Sequence, residues 1–166
     1  MSSNFVPIIM GSLRDKPVGD AVAAELAKFG IDSAIRVASA HKAPKLLFEV
    51  LGTYEADSRS KVYVTIAGRS NALSAVVDAN VQAPVIACPP YSDRFGGGDI
   101  FSSLRMPSGI APVVIIEPAG AALAAVKMLA LADPPLREAV AEYQRDMERT
   151  IRRDDATLNA PAGTGV

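Results

Sequence analysis

Residues 6–15 read VPIIMGSLRD, and this stretch with its continuation decides the fold class. Its first five residues are continuously apolar, which is typical of a parallel strand covered by helices on both faces. The following segment has helix-start signals at Asp15 and Pro17 and a helix-stop signal at Gly30. The stretch therefore predicts a strand, a turn of small residues and a helix, in that order.

The same unit recurs along the chain. Four more short apolar runs alternate with helix-like segments: Ile35–Val37, Val62–Ile66, Val85–Ala87 and Val113–Ile116. Alternation of this kind favours a parallel sheet between two helix layers. We predict a three-layer, flavodoxin-like, doubly wound α/β fold with five parallel strands. The later helices are expected to begin near Ala43 or Pro44, near Asn71, near Ala119 and at Asp133.

The last helix has a single apolar stripe, with charged residues on its other faces. The stripe consists of Leu136, Val140, Tyr143, Met147 and Ile151. Docking on its own domain and packing on a neighbouring subunit both explain this pattern. We expect one domain over residues 1–155, including this extra C-terminal helix, and a flexible tail over 156–166.

Composition excludes several classes of protein. The chain has 166 residues and is 49% hydrophobic, enough for one substantial core. Its single cysteine, Cys88, rules out an intramolecular disulfide and, with no export signal visible, indicates the cytoplasm. A net charge of −1 argues against a nucleic-acid partner. The longest apolar stretch, 118–132, contains Lys127 and is shorter than the ~20 residues of a membrane span.

Candidate ligand-binding residues follow the strands, because ligands of open parallel sheets bind beyond the carboxyl ends of the strands. After the first strand, the segment from Gly11 to Asp15 resembles a phosphate cradle, with small residues and a helix N-terminus. An ordinary turn with Asp15 as the helix cap explains the same residues.

After the second strand comes SAHK, residues 39–42, with the only histidine of the chain. A lone histidine does not build a metal site, and no metal is predicted. Imidazole titrates near neutral pH, so His41 is a candidate proton carrier, and Lys42 can hold an anion. A histidine with a structural hydrogen bond is the competing interpretation.

The third and fourth strands are also followed by polar segments. Residues 67–71, AGRSN, form a turn whose side chains can bind a flat polar ring or a carboxylate. The long segment from Cys88 to Gly98 is predicted to be a functional loop. Cys88 itself follows an apolar strand and precedes two prolines, which favours a buried, inert thiol. Further on, Arg105 and nearby serines indicate either a phosphate or subunit contact or a plain surface connection.

Taken together, these segments resemble the PurE family of phosphoribosylaminoimidazole carboxylases. The resemblance rests on five motifs in order: MGS at 10–12 with Asp15, SAHK at 39–42, GRSN at 68–71, CPP at 88–90 and SSLRMPSG at 102–109. It extends from about Val6 to Leu131. The resemblance implies a homo-oligomer (dimer, tetramer or octamer) with shared active sites and no cofactor, and the alanine-rich helix between Ala119 and Leu131 suits close packing between subunits.

The family contains two activities. One branch carboxylates 5-aminoimidazole ribonucleotide (AIR) with CO2 to 4-carboxy-5-aminoimidazole ribonucleotide (CAIR); the other is a mutase that rearranges N5-carboxyaminoimidazole ribonucleotide. Lys42, the GRSN stretch and the CPP stretch resemble the CO2-dependent carboxylase branch. The mutase reaction remains an alternative, and a non-catalytic nucleotide-binding module of the same shape is a second one.

The resemblance also implies roles for individual residues. Ser12 would receive the phosphate and Asp15 the ribose hydroxyls. His41 would act as the acid/base residue, and Lys42 would stabilise negative charge. The remaining substrate-binding candidates are Gly11, Ser39, Ala40, Ala67, Gly68, Arg69, Ser70, Asn71, Ser103 and Arg105.

Overall fold

The computed structural model describes residues 3–159 and contains one parallel sheet. Its strands are β1 (Asn4–Met10), β2 (Asp32–Val37), β3 (Ser60–Lys61), β4 (Tyr63–Ile66), β5 (Val85–Ala87) and β6 (Val113–Val114). The strand order is β2-β1-β4-β5-β6, and β3 pairs with β1 just ahead of β4. All five predicted strands are therefore present, although the last ends two residues early, at Val114.

Helices cover both faces of the sheet. They are α1 (Lys16–Ala27), α2 (Pro44–Glu55), α3 (Ala72–Asp78), α4 (Phe101–Leu104), α5 (Pro118–Leu129) and α6 (Pro134–Leu158), with 3₁₀ helices at Leu13–Asp15 and Arg94–Ile100. One apolar core lies between the sheet and α1, α5 and the start of α6, and a second lies between the sheet and α2 and α3. The predicted three-layer, doubly wound fold is confirmed.

Strand β1 lies at the centre of both cores, and all seven of its residues are buried. Its side chains alternate between the two faces, as the period of a strand requires. Val6, Ile8 and Met10 belong to the first core, whereas Phe5 and Ile9 belong to the second. A strand that is buried on both faces explains why the sequence here is continuously apolar.

The start of α1 differs from the prediction that Asp15 caps it. Asp15 occupies the N-cap position, but its side chain makes no capping hydrogen bond. The chain begins to coil three residues earlier, where the Ser12 Oγ accepts a hydrogen bond from the Arg14 amide and opens a 3₁₀ helix that runs directly into α1. The predicted end is confirmed, because Gly30 (φ 67°) donates its amide to the Ala27 carbonyl.

Helix α5 packs within its own chain. Its buried residues include Ala121, Ala122 and Ala125, which belong to the core shared with α1. Small side chains let the two helices approach closely. The alanine-rich sequence therefore fits intramolecular packing, and the inference that it also suits subunit contacts stays a prediction.

The apolar stripe of α6 is only partly covered by its own domain. Leu136 and Val140 are buried in the first core, and Tyr143 packs edge-on against Phe29 with 5.6 Å between ring centroids. Further along, Met147 is 45% exposed and Ile151 is 68% exposed. Docking on its own domain is therefore confirmed for the first part of the helix, while the stripe continues beyond the domain surface.

The helix also runs further than predicted. It ends at Leu158, three residues past the expected boundary at 155, so the first part of the predicted tail is helical. Intrahelical ion pairs, including Arg145 with Glu142 and Arg152 with Glu148, favour this extension. Residues 160–166 of that tail lie outside the described part of the chain.

Among residues 3–159, no helix has both the length and the apolar character needed to cross a membrane.

A capping interaction fixes the start of α6. The Asp133 Oδ1 accepts a hydrogen bond from the Leu136 amide at 3.0 Å, and its Oδ2 accepts one from the Asn4 Nδ2 at 2.6 Å. The replacement Asp133→Ala should lower the free energy of unfolding by about 2 kcal/mol, since it removes a helix cap and a side-chain hydrogen bond. Urea unfolding followed by circular dichroism at a fixed protein concentration measures this change.

The matched control for this experiment is Asp154→Ala, which removes an exposed carboxylate from the same helix. It should change stability by less than about 0.5 kcal/mol. Equal unfolding midpoints for both variants would contradict the proposed importance of the Asp133 cap.

Candidate active site

The predicted ligand-binding segments meet at the carboxyl edge of the sheet. The hydrogen bonding of the sheet continues for one residue beyond β2 and for one residue beyond β1. The Ala38 amide donates to the Met10 carbonyl at 2.9 Å, and the Gly11 amide donates to the Ile66 carbonyl at 2.9 Å. The segments after β2, β1 and β4 therefore lie side by side, as the parallel sheet predicted.

The first turn is compact, with Ser12 and Asp15 half-buried. A side chain at Gly11 would come within 3.6 Å of the Ala67 Cβ, so the first and third turns approach each other closely. Burial raises the pKa of the Asp15 carboxyl, and a backbone hydrogen bond from Ser12 opposes part of this rise. The structure thus places Gly11, Ser12 and Asp15 together at the sheet edge.

The second turn exposes its two candidate catalytic side chains. The Ser39 Oγ accepts a hydrogen bond from the Lys42 amide at 3.3 Å, and this bond closes the turn. Ala40 packs against the second core beneath it, while His41 and Lys42 are exposed. Within residues 3–159, the His41 side chain makes no hydrogen bond, so the structural bond of the competing interpretation is not seen there.

In the third turn, two predicted ligand-binding side chains have another role. Asn71 and Ser103 are 4% and 2% exposed. The Asn71 Oδ1 accepts hydrogen bonds from the amide and hydroxyl of Ser74, and its Nδ2 donates to the Ser103 Oγ at 3.0 Å. Their polar groups are used to start α3 and to attach α4 to it, because buried polar groups need partners. Both side chains therefore act inside the protein.

Arg69 and Ser70 remain exposed at the surface of the same turn. Arg69 adopts a left-handed conformation, with φ of 61°. Its amide donates to the Asp99 Oδ2 at 3.1 Å, and the Ser102 hydroxyl lies 2.8 Å from its carbonyl oxygen. Asp99 was not among the predicted site residues, and its only sequence signal is its position directly after a glycine run. Ser102 was predicted only as one of the serines near Arg105, within the motif SSLRMPSG at 102–109.

Arg105 follows α4, where its Nε donates to the Phe101 carbonyl at 3.3 Å. The residue is exposed, and its guanidinium lies at the protein surface. Arg105 therefore lies directly after α4 and outside the three turns that follow β1, β2 and β4.

A cavity of about 180 Å³ adjoins the third turn. It is lined by Gly68, Pro89, Pro90, Tyr91, Ser92, Gly97, Asp99, Ile100 and Ile116. His41 and Lys42 are not part of this lining. Ligand pockets usually measure ~300–1,000 Å³, so this cavity is smaller than an ordinary ligand pocket. Gly68 is the one predicted site residue in its lining.

The predicted functional loop forms one wall of this cavity. Phe95, Gly96 and Gly97 all have positive φ values, of 56°, 59° and 76°. A positive φ is unfavourable for a residue with a side chain, and Phe95 adopts one. The Phe95 side chain is exposed. The glycines therefore permit a backbone path that brings Asp99 beneath the third turn.

The cysteine beside the cavity is buried, as predicted. Cys88 has no exposed surface, and its Sγ lies 3.5 Å from the Ile116 carbonyl oxygen. Desolvation, with a smaller effect from Glu117, raises the pKa of the thiol to about 11. The prediction of a buried thiol is confirmed, and its lack of reactivity stays a prediction. Among residues 3–159, no group of three His, Cys, Asp or Glu side chains is arranged to hold a metal ion.

Comparison with known proteins covers nearly the whole chain. A family model described as AIR carboxylase matches residues 5–150. The chain is 52% identical over 151 residues to a phosphoribosylaminoimidazole carboxylase of Archaeoglobus fulgidus, covering 91% of this chain and 83% of that protein. It is 48% identical over 154 residues to the protein of the same name from Treponema denticola, covering 93% and 97%.

Structural comparison agrees with the sequence matches. A crystal structure of Treponema denticola PurE superposes with a TM-score of 0.92 at 47% identity, covering 94% of this chain and 99% of that one. The similarity therefore extends over nearly the whole chain and includes its α/β fold.

The burial of Cys88 generates a direct test. At pH 8 the folded thiol should react with Ellman's reagent roughly 100-fold more slowly than an ordinary thiol, from the lower thiolate fraction alone. One thiol per chain should react once urea unfolds the protein, and the Cys88→Ser variant should show none. Rapid reaction of the folded protein would contradict the buried position.

Proposed function

The chain belongs to the AIR carboxylase family of purine biosynthesis, and we propose that it joins CO2 directly to AIR, giving CAIR without ATP or biotin. The observation that carries this proposal is the meeting of three turns at one sheet edge, with the only histidine of the chain exposed in the second. This arrangement supports a single proton carrier beside a nucleotide site.

The proposed reaction needs little from the protein. In AIR, the amino group pushes electron density onto ring carbon 4, which attacks the carbon of CO2. A carbon–carbon bond forms, one electron pair moves to an oxygen and produces the carboxylate, and the former amine becomes an iminium. His41 then removes the proton from carbon 4 and restores the aromatic ring. Positioned proton transfer of this kind contributes roughly 10²- to 10⁴-fold to the rate.

The other site residues are proposed to bind the nucleotide. Ser12, with the backbone of Gly11, would receive the phosphate, and the half-buried Asp15 would bind the ribose hydroxyls. Lys42, exposed beside His41, would stabilise phosphate or developing carboxylate charge. Ser39, Ala40, Ala67 and Gly68 would line the ring and the CO2, while Arg69, Ser70 and Arg105 would contribute from the exposed rim.

The mutase reaction on N5-carboxyaminoimidazole ribonucleotide is the nearest alternative. Lys42 and the sequence GRSN at 68–71 support the carboxylase, since these residues resemble that branch. The exposed Arg69 follows the cavity-lining Gly68 and adds a cation that can stabilise a carboxylate. A non-catalytic nucleotide-binding module is less well supported, because it gives no role to an exposed, unbonded His41.

A homo-oligomer with shared active sites in the cytoplasm completes the proposal. Two exposed apolar residues, Tyr91 and Ile116, line the cavity, and three more, Phe95, Phe101 and Leu104, lie in the neighbouring segment of the chain. Apolar patches of this kind favour subunit contacts. A second copy seated there would enlarge the partial cavity to the size of a nucleotide.

The substrate is tested first by supplying AIR with bicarbonate and carbonic anhydrase, without ATP, and following CAIR formation by ultraviolet absorbance. The proposal predicts rapid turnover here and little turnover of N5-carboxyaminoimidazole ribonucleotide. The reverse preference would make the chain a mutase. Nucleotide binding with no turnover of either compound would leave the binding module.

The role of His41 is tested by the variant His41→Asn. It should lower the rate of CAIR decarboxylation by at least about 10²-fold while nucleotide affinity stays within about threefold, because only proton transfer is removed. Lys45→Gln, which removes a neighbouring exposed charge, is the control and should retain the rate. A His41→Asn variant with normal turnover would rule out this mechanism.

A further inference from the structure

The third turn, residues 68–71, is held from outside by the segment 99–103. The Asp99 Oδ2 accepts the Arg69 amide at 3.1 Å. A side chain at Gly68 would meet the Pro90 Cγ at 3.4 Å and the same Asp99 oxygen at 3.8 Å. The turn therefore rests on Pro90 and Asp99, at the wall of the cavity.

Ser102 holds the same turn from its other side. Its hydroxyl lies 2.8 Å from the carbonyl oxygens of Arg69 and Asp99, to either of which it can donate its one hydrogen, and it accepts a hydrogen bond from the Asn71 amide at 3.0 Å. Asp99 and Ser102 thus bond to the peptide groups on both sides of Ser70. The two residues are only three positions apart, so one short segment makes all of these contacts.

The turn needs this support because of its backbone conformation. Arg69 has a φ of 61°, which is unfavourable for a residue with a Cβ. In the part of the chain that the structure describes, the amides of Gly68 and Ser70 donate to no protein acceptor. The hydrogen bonds from segment 99–103 therefore fix the amides of Arg69 and Asn71 and leave the two others available to a ligand.

We propose that Asp99 and Ser102 are positioning residues, which hold the 68–71 turn in the conformation that lines the reacting end of the nucleotide. This inference rests on the proposed function for the identity of the nucleotide. The support of the turn by Asp99 and Ser102 does not depend on that identity. Removal of either side chain lets the turn leave its left-handed conformation, and the substrate then loses alignment with the proton carrier.

The chain offers a matched control for this proposal. The Asp78 Oδ2 accepts the Ala111 amide at 2.8 Å, another exposed carboxylate-to-backbone bond between residues 33 apart, compared with 30 for Asp99 and Arg69. It lies between the end of α3 and the approach to β6, away from the carboxyl ends of the strands. Asp78→Ala therefore removes a similar bond without touching the third turn.

The variants to compare are Asp99→Ala, Ser102→Ala, Asp99→Asn and Asp78→Ala. For the first two, kcat should fall about 10- to 100-fold with KM for the nucleotide changed less than about threefold, as misalignment of bound substrate predicts. Asp99→Asn keeps an oxygen that can accept the Arg69 amide, so it should recover most of kcat. Asp78→Ala should retain kcat even where its stability falls.

Hydrogen–deuterium exchange gives a second readout that does not depend on activity. Peptides spanning residues 67–72 should exchange at least about tenfold faster in Asp99→Ala and Ser102→Ala, and at the normal rate in Asp78→Ala. If the unaltered protein is inactive on AIR, the proposed function is wrong. The hydrogen–deuterium exchange rates of residues 67–72 then test the positioning role by themselves. Unchanged exchange in both alanine variants, or an equal loss of kcat in Asp78→Ala, would overturn the proposal.

Discussion

The hydrogen bonds that β1 makes to both of its neighbours are the constraint on which the rest of the structure depends. Because β1 is buried on both faces, its backbone groups need partners within the sheet, and β2 and β4 supply them in parallel register. Because the three strands are parallel, each of them ends at the same edge of the sheet. The three turns that follow are thereby brought together.

The polar side chains at this edge fall into two groups. Several polar side chains that looked available for a ligand are instead buried or bonded inside the protein, while the exposed cations and the imidazole remain free at the rim. Asn71 and Ser103 illustrate the first group, and His41 and Lys42 illustrate the second. The cavity at this edge is lined mainly by glycine, proline and apolar residues, with Ser92 and Asp99 among its polar residues.

Much of this organisation was predictable from the sequence, because it depends on local signals. Apolar runs located the strands, and Gly30, Asn71 and Asp133 marked helix ends or starts that the structure confirms. Three features were not predicted. The 3₁₀ helix before α1 displaced the expected Asp15 cap through a local contact between Ser12 and Arg14. The other two depend on distant packing: the α5 alanines pack on α1, and Asp99 reaches a turn 30 residues away. Periodicity contains no information about such contacts.

The left-handed conformation of Arg69 links stability to chemistry at one position. A residue with a Cβ is disfavoured there by roughly 1–2 kcal/mol, and glycine or asparagine would remove much of that cost. Laboratory evolution for heat resistance alone would therefore replace Arg69, whereas selection for growth without added purines would retain it if its charge serves the reaction. The outcome of two such selections from one library would show which of the two demands has shaped this residue.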